Sequence, residues 1–359
     1  MPKANLRRGL SVAALAAIAV LAACSTPEPA PAPVVAPPPP PPPPVTLNEG
    51  VAQAASIYVA FIREVGTIQA GFPDAESIQV AIRRGAAYEP AQLSRGMIAY
   101  GSILALQSPE FVAGVRTYAA DPVQRREVID RIIADPAYAA TLPGADAAAG
   151  LIISTLGKDI TTMMAIAEAV EADAYTIQER RDPRRRWAVT HIADREVRLE
   201  STKTASAAQM LPSAEEASRL FAAAHAGNGL NLEATTVAPP YTPAVINALA
   251  IAALAALGAG GEDYRANTEA LTVESNSEFC LNMSKLNLFQ CLAASRPSYE
   301  DMFCMGRHIV RDLATCTTEA TVPRVVSLTP TAVAAGEGQS LIAADATTAS
   351  AQAVRGSGN

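Results

Sequence analysis

The chain has 359 residues, enough for one large or two modest domains, and is half apolar but only 5% aromatic. It carries 28 Lys and Arg against 35 Asp and Glu, a formal net charge of −7. An acidic chain of this kind has no electrostatic means of neutralising a phosphate backbone, so nucleic acid is not an expected partner. Alanine is abundant and costs no side-chain entropy in a helix, while few runs show the alternating β-branched pattern of strands. The predicted class is all-α: a helical array ending in a disulfide-linked hairpin.

Residues 1–23 read as an export signal. Lys3, Arg7 and Arg8 form a basic start, and Leu10 to Val20 form an uncharged apolar run. That run is too short to cross a ~30 Å hydrocarbon core as a helix, which takes about 20 apolar residues. The small residues Ala22 and Ala23 suit a processing enzyme's subsite, so cleavage is expected. Leu21-Ala22-Ala23-Cys24 resembles the lipobox of bacterial lipoproteins. The resemblance implies that Cys24 is acylated, becomes the mature N-terminus and anchors the chain to a membrane. An ordinary secretory signal, leaving Cys24 a free thiol, is the alternative. Ser25, where inner-membrane lipoproteins of that family carry aspartate, implies the outer membrane, with the body on the periplasmic face. Loss of the three basic signal residues leaves 25 Lys and Arg against 35 Asp and Glu, a net of −10.

Residues 24–47 form a proline-rich tether, with eight consecutive prolines at Pro37 to Pro44. Proline fixes φ and lacks an N–H, so the expectation is a polyproline II rod. At ~3.1 Å per residue, Ser25 to Asn48 would reach about 75 Å. The tract reads as a semi-rigid stalk, or as a ligand for an aromatic-lined groove that takes PxxP.

A helical domain is expected over 48–190. Val51 to Val65 places apolar residues at i, i+3 and i+4. Ser108-Pro109, Asp121-Pro122 and Asp135-Pro136 each pair a cap residue with a proline at the first helical position, where its missing N–H does no harm. A long helix is expected from Asp146 to about Gln178, with Met163 and Met164 in the core. Arg180, Arg181, Arg184, Arg185 and Arg186 then surround Pro183 beside the single Trp187. They could clamp phosphate, carboxylate or glycan groups, or form a solvated turn between domains with Trp187 packed on the next helix.

The helical region 191–322 opens on a polar stretch. Ser213 with Glu216 has the capping-box spacing. Pro243 to Leu257, apolar except for Asn247, reads as a helix buried in the body and ended by Gly258-Ala259-Gly260-Gly261. Those glycines lack the GxGxxG spacing of a nucleotide loop. Residues 323–359 read as a disordered tail.

Motifs of the HExxH, GxSxG, SxxK and CxxC types are absent from the sequence. Cys304, His308 and Cys316 could be imagined around zinc, but export favours disulfides over thiolate ligands, and neither metal nor cofactor is expected. Ala270 to Ser275, followed by Leu288-Phe289-Gln290, resembles the Glu-Ser and Leu-Met-Gln motifs of lytic transglycosylases. That resemblance implies peptidoglycan cleavage with Glu274 as acid/base, its pKa raised by burial. The glycine-bearing turn between those motifs is absent here. Lys285 to Ala293 and Tyr299-Glu300-Asp301 resemble envelope lipoproteins without an assigned activity, and no catalytic residue comes with them.

Cys280, Cys291, Cys304 and Cys316 allow three pairings. They lie on two helices, within 277–318, joined at Ser295-Arg296-Pro297-Ser298, with Ser298 and Asp301 in a capping-box spacing. Cys280 and Cys291 stand about 16 Å apart along one helix, too far for a disulfide. The crossed pairing would need parallel helices, which a short turn forbids. Cys291–Cys304 and Cys280–Cys316 remain, each adding roughly 3 kcal/mol. Their spacings differ by one residue, about 100° of facing, so fraying of the second helix is expected. The functional expectation is a non-enzymatic binding or bracing role toward an envelope protein or peptidoglycan, with the lytic enzyme as the alternative.

Overall fold

A computed structural model describes residues 41–180, 183–233 and 235–323. These contain fourteen α-helices and no strand. The nearest approach to a sheet is one antiparallel bridge between His191 and Pro297. The described residues belong to one compact unit that ends at Pro323.

The centre is the helix Pro243–Ala256 (α10 below, counting from the N-terminus). Every residue from Ala248 to Leu257 is at most 1% exposed. Alanines alternate with Leu and Ile all round it, so neighbours approach closely from every side. Thr242 caps its start, accepting from Val245 N and donating to Ala320 O. Packed on it or on one another are α1 (Glu49–Val65), α2 (Ala75–Ala86), α3 (Pro90–Ala105), α4 (Pro109–Arg116) and α5 (Pro122–Ala134). Their starts follow the cap logic: Ser108 Oγ accepts from Phe111 N and Asp121 Oδ1 from Val123 N. Asp135 also caps, but the turn it opens, Pro136–Thr141, is a 3₁₀ helix. Leu142-Pro143-Gly144 stops it before a full α-helix can develop.

The long helix α6 spans Ala145–Arg180. It is the described helix long and apolar enough to cross a membrane, by length and composition alone. Its stripe of Leu156, Met163, Ala167, Val170, Ala174 and Ile177 is instead buried against protein. Beyond it come α7 (Arg186–Val189), α8 (Arg195–Ser206) and α9 (Ala214–Ala226). Ser213 caps α9 through Glu216 N. The Glu216 side chain does not complete a capping box; it holds Arg63 (2.8 Å) and Arg219 (2.5 Å). The chain closes with α11 (Arg265–Leu271), α12 (Ser275–Ala294), α13 (Ser298–Met305), a π-helical segment Gly306–Arg311 and α14 (Asp312–Thr321).

The body takes hold of the chain earlier than the tether's composition suggests. Arg116 Nη1 donates to Pro43 O (2.7 Å) and Thr46 N donates to Ala255 O (3.0 Å). Asn48 caps α1 through Val51 N, while its N–H and Nδ2 both reach Gly260 O. The glycines after α10 make room for this strap. Gly258 has φ +71°, and a Cβ on Gly260 would lie 2.4 Å from Thr46 O.

Candidate functional site

The four cysteines of the C-terminal region form two bridges, Cys280–Cys316 and Cys291–Cys304, each with Cα atoms 5.6 Å apart. The facing mismatch between the two segments is resolved without fraying. At 3.6 residues per turn, the 11 steps from Cys280 to Cys291 return to within about 20° of the starting face; the 12 steps from Cys304 to Cys316 would miss by about 120°. The π segment Gly306–Arg311 lies between Cys304 and Cys316 and holds one extra residue in its turn. The second segment therefore behaves as 11 helical steps, and both its cysteines face α12. Cys304 and Cys316 belong to different bridges, so neither offers a thiolate to zinc. His308 Nδ1 lies 3.1 Å from Asp312 Oδ2 instead.

The connection between α12 and α13 is held by charge rather than by a capping box. Ser298 is the first residue of α13 and Pro297 precedes it without a side-chain cap. Asp301, fully buried, accepts from Arg198, from Ser295 Oγ (2.5 Å) and from Gln79 Nε2 (2.7 Å). Burial pushes the Asp301 carboxyl above its usual range, and Ser295, Arg198 and Gln79 oppose that rise. Arg198 also donates to Leu292 O, and Arg195 reaches Ser295 O (2.8 Å) and Ala293 O (2.5 Å). Two arginines of α8 thus satisfy the last carbonyls of α12, which have no helical partner. Lys285 of α12 does the same for the C-terminal side of two other helices, donating to Tyr88 O, just after α2, and to Ser206 O (2.6 Å), the last residue of α8. Burial pulls its pKa down to about 8, against the opposing pull of Glu89.

Glu274 is 9% exposed and serves as the cap of α12. Its carboxylate accepts from Ser277 N (2.7 Å), Ser277 Oγ (2.6 Å) and Asn276 N (3.0 Å). Burial works to raise its pKa, but these donors prevail and hold it below the ordinary glutamate value. The expected raised pKa of a general acid is therefore corrected: the side chain is committed, as a carboxylate, to the helix start.

Of the basic block, Arg180 ends α6 and Arg186 begins α7, both exposed. Arg185 is drawn inward to Asp173, whose other oxygen accepts from Gly71 N (2.9 Å). Arg184 is exposed, Trp187 packs on the core, and Arg181 lies outside the described residues. The block is thus split between a structural ion pair and an exposed rim. Cys24 also lies outside the described residues.

One partly buried polar cluster carries no sequence signature, because its members come from three helices. Asp159 of α6 sits near Tyr58 of α1 and Tyr100 of α3, whose rings stack with centroids 6.0 Å apart. Burial raises Asp159 to about 6, with Arg63 and Tyr58 opposing, and raises Tyr100 to about 12. Only the helix pattern that buries Tyr58 hinted at it.

Compared with protein-family models, curated proteins and solved structures, the chain matches none.

Proposed function

We propose that this chain is a lipid-anchored protein of the bacterial outer membrane. Its helical body, on the periplasmic face, binds or braces another envelope component without catalysing a reaction. The supporting observation is the disposition of its five cysteines. Four are paired in two disulfides, as suits an oxidising compartment, and the fifth is Cys24 of the lipobox. The commitment of Glu274 to capping favours this reading over the lytic alternative.

The test starts at the anchor. Metabolic labelling with a palmitate analogue should mark the wild-type chain and leave Cys24→Ala unmarked, with the variant retained as precursor or released soluble. Equal labelling of both would defeat the lipoprotein assignment. In-cell crosslinking of the labelled protein should then capture one envelope partner reproducibly. A peptidoglycan zymogram, with Glu274→Gln as control, should show no clearing band for either form.

A further inference from the structure

The loop between α9 and α10 borders an open cavity of about 660 Å³ beside the α3–α4 connection, α4 and α6. This lies within the roughly 300–1,000 Å³ of small-molecule sites. The loop leaves α9 at Gly227 (φ +66°) and turns back through Gly229 (φ +100°) and Asn231 (φ +51°). It is fastened at both ends. Gln107 Nε2 donates to Ala223 O (2.9 Å) on the near side, and Val237 N donates to Asp146 O (3.0 Å) on the far side. The far crossing depends on Gly150, where a Cβ would stand 2.1 Å from Thr235 O. The loop therefore lies directly on α6 at that point and arches away from it beside the cavity.

The lining selects a chemistry. Among the described residues that line it, Glu110 is the only charged one and none is Lys or Arg, so an anionic ligand would find no counter-charge. The Gln107 amide gives its hydrogens to Ile103 O and Ala223 O, which ties this rim of the cavity to the end of α9. Asn228 and Asn231 add amides, Thr235 and Thr236 add hydroxyls, and Leu151 and Leu232 supply apolar patches. Too polar for an acyl chain and unsuited to an anion, such a wall matches a molecule with many hydroxyl and amide hydrogens and flat C–H faces.

We infer that this cavity is a binding site for a neutral saccharide bearing hydroxyl and acetamido groups. A free oligosaccharide and a strand of the cell wall share this chemistry; the second source rests on the envelope address proposed above.

The probe is tetra-N-acetylchitotetraose, titrated calorimetrically into the detergent-solubilised full-length protein. Wild type should bind, and Glu110→Gln and Asn231→Gly should each weaken binding roughly tenfold or more. Asn231→Gly removes the amide while keeping the left-handed backbone open to glycine. Ala147→Phe should fill the cavity and abolish binding with the helical spectrum unchanged, and Lys203→Ala, at an exposed ion pair with Glu200 on α8 away from the cavity, should bind as wild type. Co-sedimentation with purified sacculi separates the sources: pelleting lost in the same variants identifies the wall strand, whereas solution binding alone identifies a free saccharide. No binding of chitotetraose by wild type, or equal affinity in Glu110→Gln and Asn231→Gly, would overturn the inference. Failure of Cys24 to label would remove the address and leave this titration unaffected.

Discussion

Asp159 is the residue whose charge the fold disfavours most visibly. Its carboxyl is raised from 3.8 to about 6, chiefly by burial, with Tyr58, Tyr100, Arg63, Glu216 and Arg219 in the same region. Between those values the folded chain holds more proton at this site than the unfolded chain, so stability falls as pH rises through the window. Above about pH 6 the full cost is present. Asp159→Asn keeps the size of the side chain and removes the charge. It should raise stability by about 1–2 kcal/mol at neutral pH, a figure reduced from the raw shift for partial solvent screening. Below about pH 4 the difference should vanish. Urea midpoints at the two pH values check this, and an equal gain at both would show that the carboxylate is not the cause.

At the scale of elements, the π segment lets two unequal cysteine spacings meet. Deleting the exposed Arg307 should convert Gly306–Arg311 to ordinary α-helix, leave 11 steps between the cysteines and preserve both disulfides. Inserting one alanine after Arg307 should swing Cys316 by about 100° and leave Cys280 and Cys316 unpaired, while Cys291–Cys304 still forms. Peptide mapping without reductant distinguishes the products; loss of both bridges on deletion would mean that the π turn does more than absorb a residue. Much of this hairpin was legible in the sequence. Cysteine spacing and a proline turn leave one pairing, and Ser108, Asp121 and Ser213 announce helices because a cap acts within three residues of itself. What the sequence concealed acts at long range. Asp301 has the spacing of a cap but pairs with Arg198, 103 positions away, and Glu216 turns from its own helix start to Arg63. A local pattern cannot tell a carboxylate spent on the nearest backbone from one claimed by a distant guanidinium. Glu274 shows the reverse: a catalytic-looking dipeptide, Glu274-Ser275, is a helix start. The candidate saccharide cavity left no motif, since its walls come from the α3–α4 connection, α4, α6 and a loop some 80 to 130 positions further on.

For the molecule as a whole, the helix Pro243–Ala256 is the common floor, and the strap at residues 43–48 closes over its C-terminal end. Gly260 is the tightest point of that closure. Gly260→Val would drive a side chain into Thr46 O, displacing the strap and exposing Leu47, which is 3% exposed in the intact fold. The expected loss is about 1–3 kcal/mol, the usual range for an overpacked site. It should come with faster amide exchange at Thr46 and Asn48, whose N–H groups lose Ala255 O and Gly260 O. Destabilisation without faster exchange there would place the damage elsewhere.

The two bridges are nested, the 13-residue loop of Cys291–Cys304 lying inside the 36-residue loop of Cys280–Cys316. On the proposed export route the polypeptide is delivered N-terminus first. Cys280 and Cys291 then meet the oxidising machinery before either of their partners has emerged. An oxidant that joins cysteines in order of arrival would link those two to each other and strand the second pair. The nested outcome therefore calls for early winding of Ser275–Ala294, which holds its two thiols about 16 Å apart, or for an isomerase that undoes the consecutive bond. On that route, the order in which the cysteines are delivered runs against the order in which they must be joined.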